Sequence, residues 1–279
     1  SKYMFLSKQK TTFISSFLFD ANSFWRTMSN FALFRNRGIA GQLVSMHQSG
    51  THWLKHMIAC ALAHQYDIPD PEYNHANDIF GGSRDKVLYP EIPRLVSSHS
   101  YPHPITTFRL AHTFFNLPKY VLLVRDIRYC LISNYAKWSH AYNVPFSIYL
   151  RSDASSKTYN SDIWWAMRFL NSWGLVYKYV PSRVIIVRYE ELLEDPAGEI
   201  RRIDEFWNLG LSCENIEYGI SRSDKAKMAK KDDPARPKGA VRASDSSGLA
   251  LFSSLDRVYF QGICENYLRF SAGYRYSNW

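Results

Sequence analysis

Residues 41–55 read GQLVSMHQSGTHWLK: an apolar run, a tight Ser49-Gly50-Thr51 turn, and then an apolar pattern at helical spacing. Such a strand-turn-helix can hold an anion. The N–H groups of a first helical turn lack intrahelical partners and carry the positive end of the helix dipole, so a phosphate placed there satisfies several donors at once. Gly50 lets the main chain come close, and the hydroxyls of Ser49 and Thr51 offer further donors. The competing reading is an ordinary turn in which Ser and Thr act as caps. Other residues able to do chemistry follow later apolar runs: His99, then Arg125 with Ser133 eight residues on, then Arg188-Tyr189-Glu190. They supply a titratable base, a planar cation with a hydroxyl, and an aromatic ring. No Lys follows Gly50 in the pattern GxxxxGK[ST], which argues against ATP hydrolysis.

The elements that must position these groups are legible as apolar runs at 43–46, 95–98, 120–124 and 184–187, alternating with helix-length patterns. This alternation predicts a parallel sheet with helices on both faces and ligands beyond the carboxyl ends of the strands. After the first run, Trp53, Leu54, Met57, Ile58, Ala61 and Leu62 define one buried helical face, with Ala59 and His64 away from it. Residues 162–180 predict a helix whose aromatic stripe is core. Pro196 opens another over 197–209, with Ile200, Ile203, Phe206 and Trp207 as its apolar stripe. No repeat or Gly/Ser/Pro tract divides the chain, so the expectation is one α/β domain over residues 1–279.

Composition narrows the class. Apolar residues make up 46% and aromatics 16%, enough for a large core, while the apolar runs are too interrupted to span a bilayer. The 34 Lys and Arg against 25 Asp and Glu give a net charge of +9, which favours an anionic partner. Much of the excess lies in Arg222, Lys225, Lys227, Lys230, Lys231, Arg236, Lys238 and Arg242, a Pro- and Gly-containing stretch that reads as a loop or a solvated face. No nucleic-acid motif accompanies it, and no basic helix with interleaved stacking aromatics. Cys60, Cys130, Cys213 and Cys264 are too scattered for a zinc site or a disulfide framework, so reduced thiols and a cytoplasmic location are expected. The apolar run FISSFLF at 13–19 meets Asp20 at once, with no cleavage pattern, which argues against a secretory signal.

Taken together, residues 41–262 resemble the PAPS-dependent sulfotransferases of the cytosolic, small-molecule type, which move a sulfuryl group from 3′-phosphoadenosine 5′-phosphosulfate to a hydroxyl or amine. HQSGTHWL stands where that family has its 5′-phosphosulfate loop, and VLLVRDIRYCLISNYAKW matches its 3′-phosphate motif, including the Arg125-to-Ser133 spacing. VRYEELLEDPAGEIRRIDEFWNL matches the segment after the fourth strand, and RPKGAVR is a weaker counterpart of the C-terminal loop.

The resemblance implies a P-loop-like cradle in which Gln48, Ser49, Gly50, Thr51, His52 and Trp53 hold the 5′ end of the cofactor. Arg125 and Ser133 would take the 3′-phosphate, Tyr189 would lie beside the purine, and Arg236, Lys238 and Gly239 would close over it. PAPS is the implied donor and PAP the product, with no metal and a small-molecule acceptor. His99 corresponds to the catalytic base, since an imidazole near neutral pH can take a hydroxyl proton as it attacks sulfur; His103 is its rival. Gln48 replaces the family's loop Lys, where negative charge grows on the leaving oxygen. We expect Gln48 to act as a catalytic donor, with Lys55, His47 or His52 as sources of charge.

The alternative is a nucleotide-binding protein of impaired catalysis. Arg125 could instead form a surface ion pair with Asp126 or Asp195, and Tyr189 could be core. Ser97 and Pro237 also depart from the family pattern, and no match to its dimerisation motif appears. Segments 67–89 and 142–159 are expected to cover the acceptor. Tyr73, Phe80, Tyr89, Tyr101 and Tyr142 suggest a flat or hydrophobic one, and Asp70, Glu72, Asp78 and Asp85 an amine or guanidine.

Overall fold

Runs dominated by Val, Leu and Ile bury both of their faces only if helices cover each side. The computed structural model, which describes residues 2–31, 35, 38–154, 158–230 and 246–279, meets that demand. In chain order the elements are α1 (Lys2–Met28), β1 (Gly41–Ser45), α2 (Thr51–Gln65), β2 (Phe80–Gly81), β3 (Leu95–Ser98), α3 (Arg109–Phe114), β4 (Lys119–Val124), α4 (Ile127–Tyr142) and α5 (Phe146–Leu150). They continue with α6 (Ile163–Tyr179), β5 (Val184–Arg188), α7 (Tyr189–Glu194), α8 (Pro196–Trp207), α9 (Cys213–Arg222), α10 (Lys225–Lys230) and α11 (Ser254–Tyr267).

The five strands form one parallel sheet in the order β2-β3-β1-β4-β5. Leu43 lies opposite Ser97 on one side and Val121 on the other, and Leu122 opposite Ile186. Side chains alternate between two cores. Val44, Leu122 and Val124 join residues of α4, α6 and α11 on one face, and Leu43, Val121 and Leu123 join those of α2 and α8 on the other. The four strands expected from the apolar runs are present. The edge strand β2 was not foreseen, because two residues carry no period.

Local chemistry explains the helix starts. Asp162 accepts a hydrogen bond from the Trp165 amide at 2.8 Å, and Asp195 accepts from Gly198 at 2.8 Å with Pro196 in the first turn of α8. One expectation for α2 fails. Ala59 is 4% exposed and not on an outer face: it belongs to the buried cluster that α2 forms with the sheet and with Ile79 and Phe80. His64 is exposed yet stacks on Tyr218 of α9 at 4.2 Å. The expected basic loop also needs correction: Arg222 ends α9 and pairs with Asp70 at 2.6 Å, and Lys225–Lys230 is helical. Arg236, Lys238 and Gly239 lie outside the described residues. Among the described residues no helix is long and apolar enough to cross a membrane.

The α2–α9 contact depends on Gly219, where an added Cβ would lie 2.3 Å from the Met57 carbonyl oxygen. A backbone atom cannot rotate away, so Gly219→Ala should destabilise the protein by about 1–3 kcal/mol despite alanine's better helix propensity. Denaturant unfolding of the variant beside wild type measures this directly.

Candidate active site

The turn between β1 and α2 is shaped by two residues in left-handed conformations, Gln48 at φ 65° and Gly50 at φ 91°. Glycine is required at the second, since a Cβ would also fall 2.7 Å from the Tyr189 ring. Gly50 occupies the N-cap of α2 and offers no side chain to cap it, so the first-turn N–H groups remain available to a ligand. The Ser49 hydroxyl donates to the Met46 carbonyl at 2.7 Å, and the Thr51 hydroxyl donates to Ser45 Oγ at 2.9 Å. Both hydroxyl protons therefore hold the turn's own framework, and the backbone presents the anion-binding face.

Ser45 leads directly to His99, which follows β3. The Nδ1–H of His99 donates to the Ser45 carbonyl at 2.8 Å, with Ser45 Oγ at 3.2 Å. That contact assigns the tautomer and leaves the Nε2 lone pair as a base. His99 stacks on His47 at 4.1 Å, and His47 meets Trp165 of α6 at 4.5 Å. Burial keeps His99 below the ordinary imidazole range, opposed by the Ser45 hydrogen bond and reinforced by Lys55 and Lys137. Burial, then His99 and Lys137, push His47 down to about 3. His52 is lowered for similar reasons, though its exposed position at the turn limits the effect. All three imidazoles are thus neutral at pH 7. His103 is set apart: its Nδ1 accepts from the Ile105 amide at 3.2 Å and caps a short turn, so it serves local structure.

On the other side of the turn, Arg125 Nη1 donates to the Gln48 carbonyl at 3.0 Å and lies 3.4 Å from Ser133 Oγ. Its guanidinium stands 4.4 Å from the Tyr189 ring centroid. Asp126 pairs with Arg128 and Asp195 caps α8, so among the described residues neither competing carboxylate holds Arg125. Its Nε is buried without a hydrogen-bond partner, a donor left for an anion. Trp53 meets Tyr189 edge-on at 6.2 Å and donates its indole N–H to the Ser223 carbonyl at 2.9 Å. Gln48, Gly50, Trp53, Arg125, Ser133 and Tyr189 are thereby gathered around one turn. A phosphorylated nucleotide fits this set, with backbone donors, a fork-shaped cation and two aromatic rings.

Residues 42–244 match the family defined as the sulfotransferase domain. The chain belongs to the sulfotransferase family. Comparison with solved structures agrees on the fold of this sulfotransferase. A mouse sulfotransferase, SULT7A1, complexed with PAP aligns over 88% of this chain and 91% of its own, with 16% identity and a TM-score of 0.58. Retinol dehydratase in a complex with retinol and PAP covers 87% and 86%, with 15% identity and a TM-score of 0.59. The same enzyme with androsterone and inactive cofactor PAP covers 88% and 86%, with 15% identity and a TM-score of 0.58. Curated proteins show no significant match to the chain.

Two site residues escaped the sequence reading. Trp165 reads as one more aromatic of a core helix, yet it forms a wall beside His47 with Phe169 stacked behind it at 5.0 Å. Lys137 lies one turn beyond Ser133 on α4, and its charge acts on His47, His52 and His99. The 133/137 spacing was the available signal. Lys55, expected as a source of charge, is buried and donates to Asn77 Oδ1 at 2.8 Å. The aromatic expectations divide: Phe80 and Tyr142 belong to packed clusters, whereas Tyr101 reaches Trp165 at 6.1 Å.

The depressed His47 makes a testable demand. Below pH 6.5 the unfolded imidazole binds a proton that the folded one refuses until about pH 3, so stability is lost as pH falls through that window. Thermal unfolding should show stability declining from pH 7 to 5. His47→Phe, which keeps the ring contacts, should flatten the slope by up to about 1 kcal/mol per pH unit after allowance for partial exposure.

Proposed function

We propose that this sulfotransferase takes PAPS as donor and sulfates a hydroxyl of a small, flat or hydrophobic acceptor, with His99 as general base. The observation that carries the reading is a neutral imidazole, fixed through Nδ1, beside a helix N-terminus that has no side-chain cap. Bound PAPS supplies the sulfuryl group and departs as PAP. The α2 N-terminus and the backbone from Gln48 to Trp53 would hold its 5′ end, and Arg125 and Ser133 its 3′-phosphate, with Trp53 and Tyr189 against the adenine. Arg236, Lys238 and Gly239 would complete the phosphate site. Nε2 of His99 accepts the acceptor's hydroxyl proton while its Nδ1–H stays on Ser45. The acceptor would lie against His47, Trp165 and Tyr101.

Two of the four acidic residues suited to an amine or guanidine are engaged elsewhere: Asp70 pairs with Arg222 and Asp85 accepts from the Gly82 amide at 2.6 Å. Charge at the leaving oxygen would be met by Lys137 together with the neutral amide of Gln48. The stripe Tyr129, Ser133 and Lys137 supports this role. Tyr129 and Ser133 both touch Arg125, at 5.7 Å from the ring and 3.4 Å from the hydroxyl, and Lys137 continues the same face by one turn.

Calorimetry should detect PAP binding, and radiolabelled PAPS should transfer to phenols or alcohols in preference to amines. His99→Ala should lower kcat by about 10²–10⁴ while leaving PAP affinity within about threefold. Because burial keeps His99 below 6.5, the acid limb of kcat/KM should fall below pH 6.5. Absence of PAP binding would remove the donor assignment, and PAP binding without transfer to any phenol, alcohol or amine would leave the impaired-binder reading.

Lys137→Ala should reduce kcat by about 10–100-fold with little change in PAP affinity, and Gln48→Lys should recover much of that loss in the double variant. A Lys137→Ala enzyme that turns over within about twofold of wild type refutes the role of Lys137 alone.

A further inference from the structure

Helix α1 is turned inside out. On its packed side, Phe19 is 2% exposed between Trp164 and Tyr267, and Ser15 hydrogen-bonds the Tyr267 hydroxyl. Its other side carries Phe17, Leu18, Phe24, Trp25 and Met28 at helical spacing, exposed by 66%, 60%, 54%, 71% and 36%. An ordinary surface helix directs such a stripe to the core and polar residues to water. Here five large apolar side chains face solvent on one element, which is beyond the scattered exposure that any surface shows.

The patch does not end with the helix. Asn30 donates to the Tyr101 carbonyl, and the Phe31 ring, itself 65% exposed, lies 5.6 Å from His103. These contacts tie the end of α1 to the segment that runs into α3. That segment exposes Phe108, Leu110 and Phe114 by 65%, 83% and 83%, with exposed Arg109 among them. Two separate elements therefore present aromatic and aliphatic side chains to solvent.

Charge identifies the occupant. Among the described residues the cations beside this patch, Arg35 and Arg109, are exposed, and the one acid of residues 1–38, Asp20, already pairs with Arg269 at 2.6 Å. A second copy of the chain docked on the same face would bring this positive charge against itself. An anionic lipid surface accepts both features: aromatic side chains settle at the headgroup level, and Lys and Arg meet the lipid charge. Because α1 is not long and apolar enough to cross a bilayer, it would lie in the interfacial plane.

We infer that the sulfotransferase is a peripheral membrane protein that docks on anionic bilayers through the exposed apolar stripe of α1 and the Phe108–Leu110–Phe114 patch. The full chain should co-sediment with vesicles of phosphatidylcholine containing about 30% phosphatidylserine at least ~10-fold better than with phosphatidylcholine alone, and the difference should shrink at high salt. Leu18→Glu with Trp25→Glu should reduce that partitioning about tenfold or more, and Leu110→Glu with Phe114→Glu should weaken it independently. Circular dichroism checks that each variant remains folded; since all four side chains are exposed, at least one pair is expected to be. Equal sedimentation with both vesicle types, or partitioning unchanged in a folded variant pair, overturns the inference. So does a dimer in analytical ultracentrifugation that the same substitutions dissociate, with no vesicle binding.

Discussion

The backbone at the start of α2 needs an electrically compatible environment, and the surrounding site is built around that requirement. A helix N-terminus without a side-chain cap leaves N–H groups and a partial positive charge that must be met by water or an anion. Gly50 makes that end accessible, Tyr189 fills the space that a Cβ would occupy, and Arg125 pins the Gln48 carbonyl so that the left-handed turn persists. The neighbouring charges are cationic, from Arg125, Lys55 and Lys137. Burial first, and the nearby lysine charges second, hold His47 and His99 neutral.

The sheet brings these groups together. With β1 between β3 and β4, the carboxyl ends of three strands meet at one edge, so Ser45, His99 and Arg125 converge although they are far apart in sequence. Tyr189 arrives from β5 on the Arg125 side, and α6 supplies Trp165 on the His99 side. The result is polarised: nucleotide-type contacts on one flank of the turn and an aromatic wall on the other. Asp70, which sequence alone could assign to an acceptor pocket, instead ties the 67–89 segment to the end of α9.

The outer surface follows different physics from the site. Most helices obey the usual division between a packed apolar stripe and a polar face, as α8 does with Ile200, Ile203 and Trp207 inside. Helix α1 departs from it, using Phe19 to anchor while its larger apolar face stays in solvent. Local consistency is the rule in folded chains, and departures from it concentrate at functional surfaces.

From the residues alone came four of the five strands and the Ser49–Gly50–Thr51 turn, because each is encoded by local period or by short spacing; His99, Arg125 and Ser133 stood out as groups following apolar runs and took their roles from the family resemblance. Helix starts at Asp162, Asp195 and Pro196 were local as well. The fold alone decided the rest. Ala59 is buried because it joins the cluster that α2 shares with the sheet, His103 is confined to a cap, and Arg125 is released from its neighbouring carboxylates because Asp126 takes Arg128. Trp165 and Lys137 join the site only when α6 and α4 pack beside β1, and the outward face of α1 is known only once Phe19 is seen to point inward. Periodicity identifies an amphipathic face; which face is covered depends on contacts between residues distant along the chain.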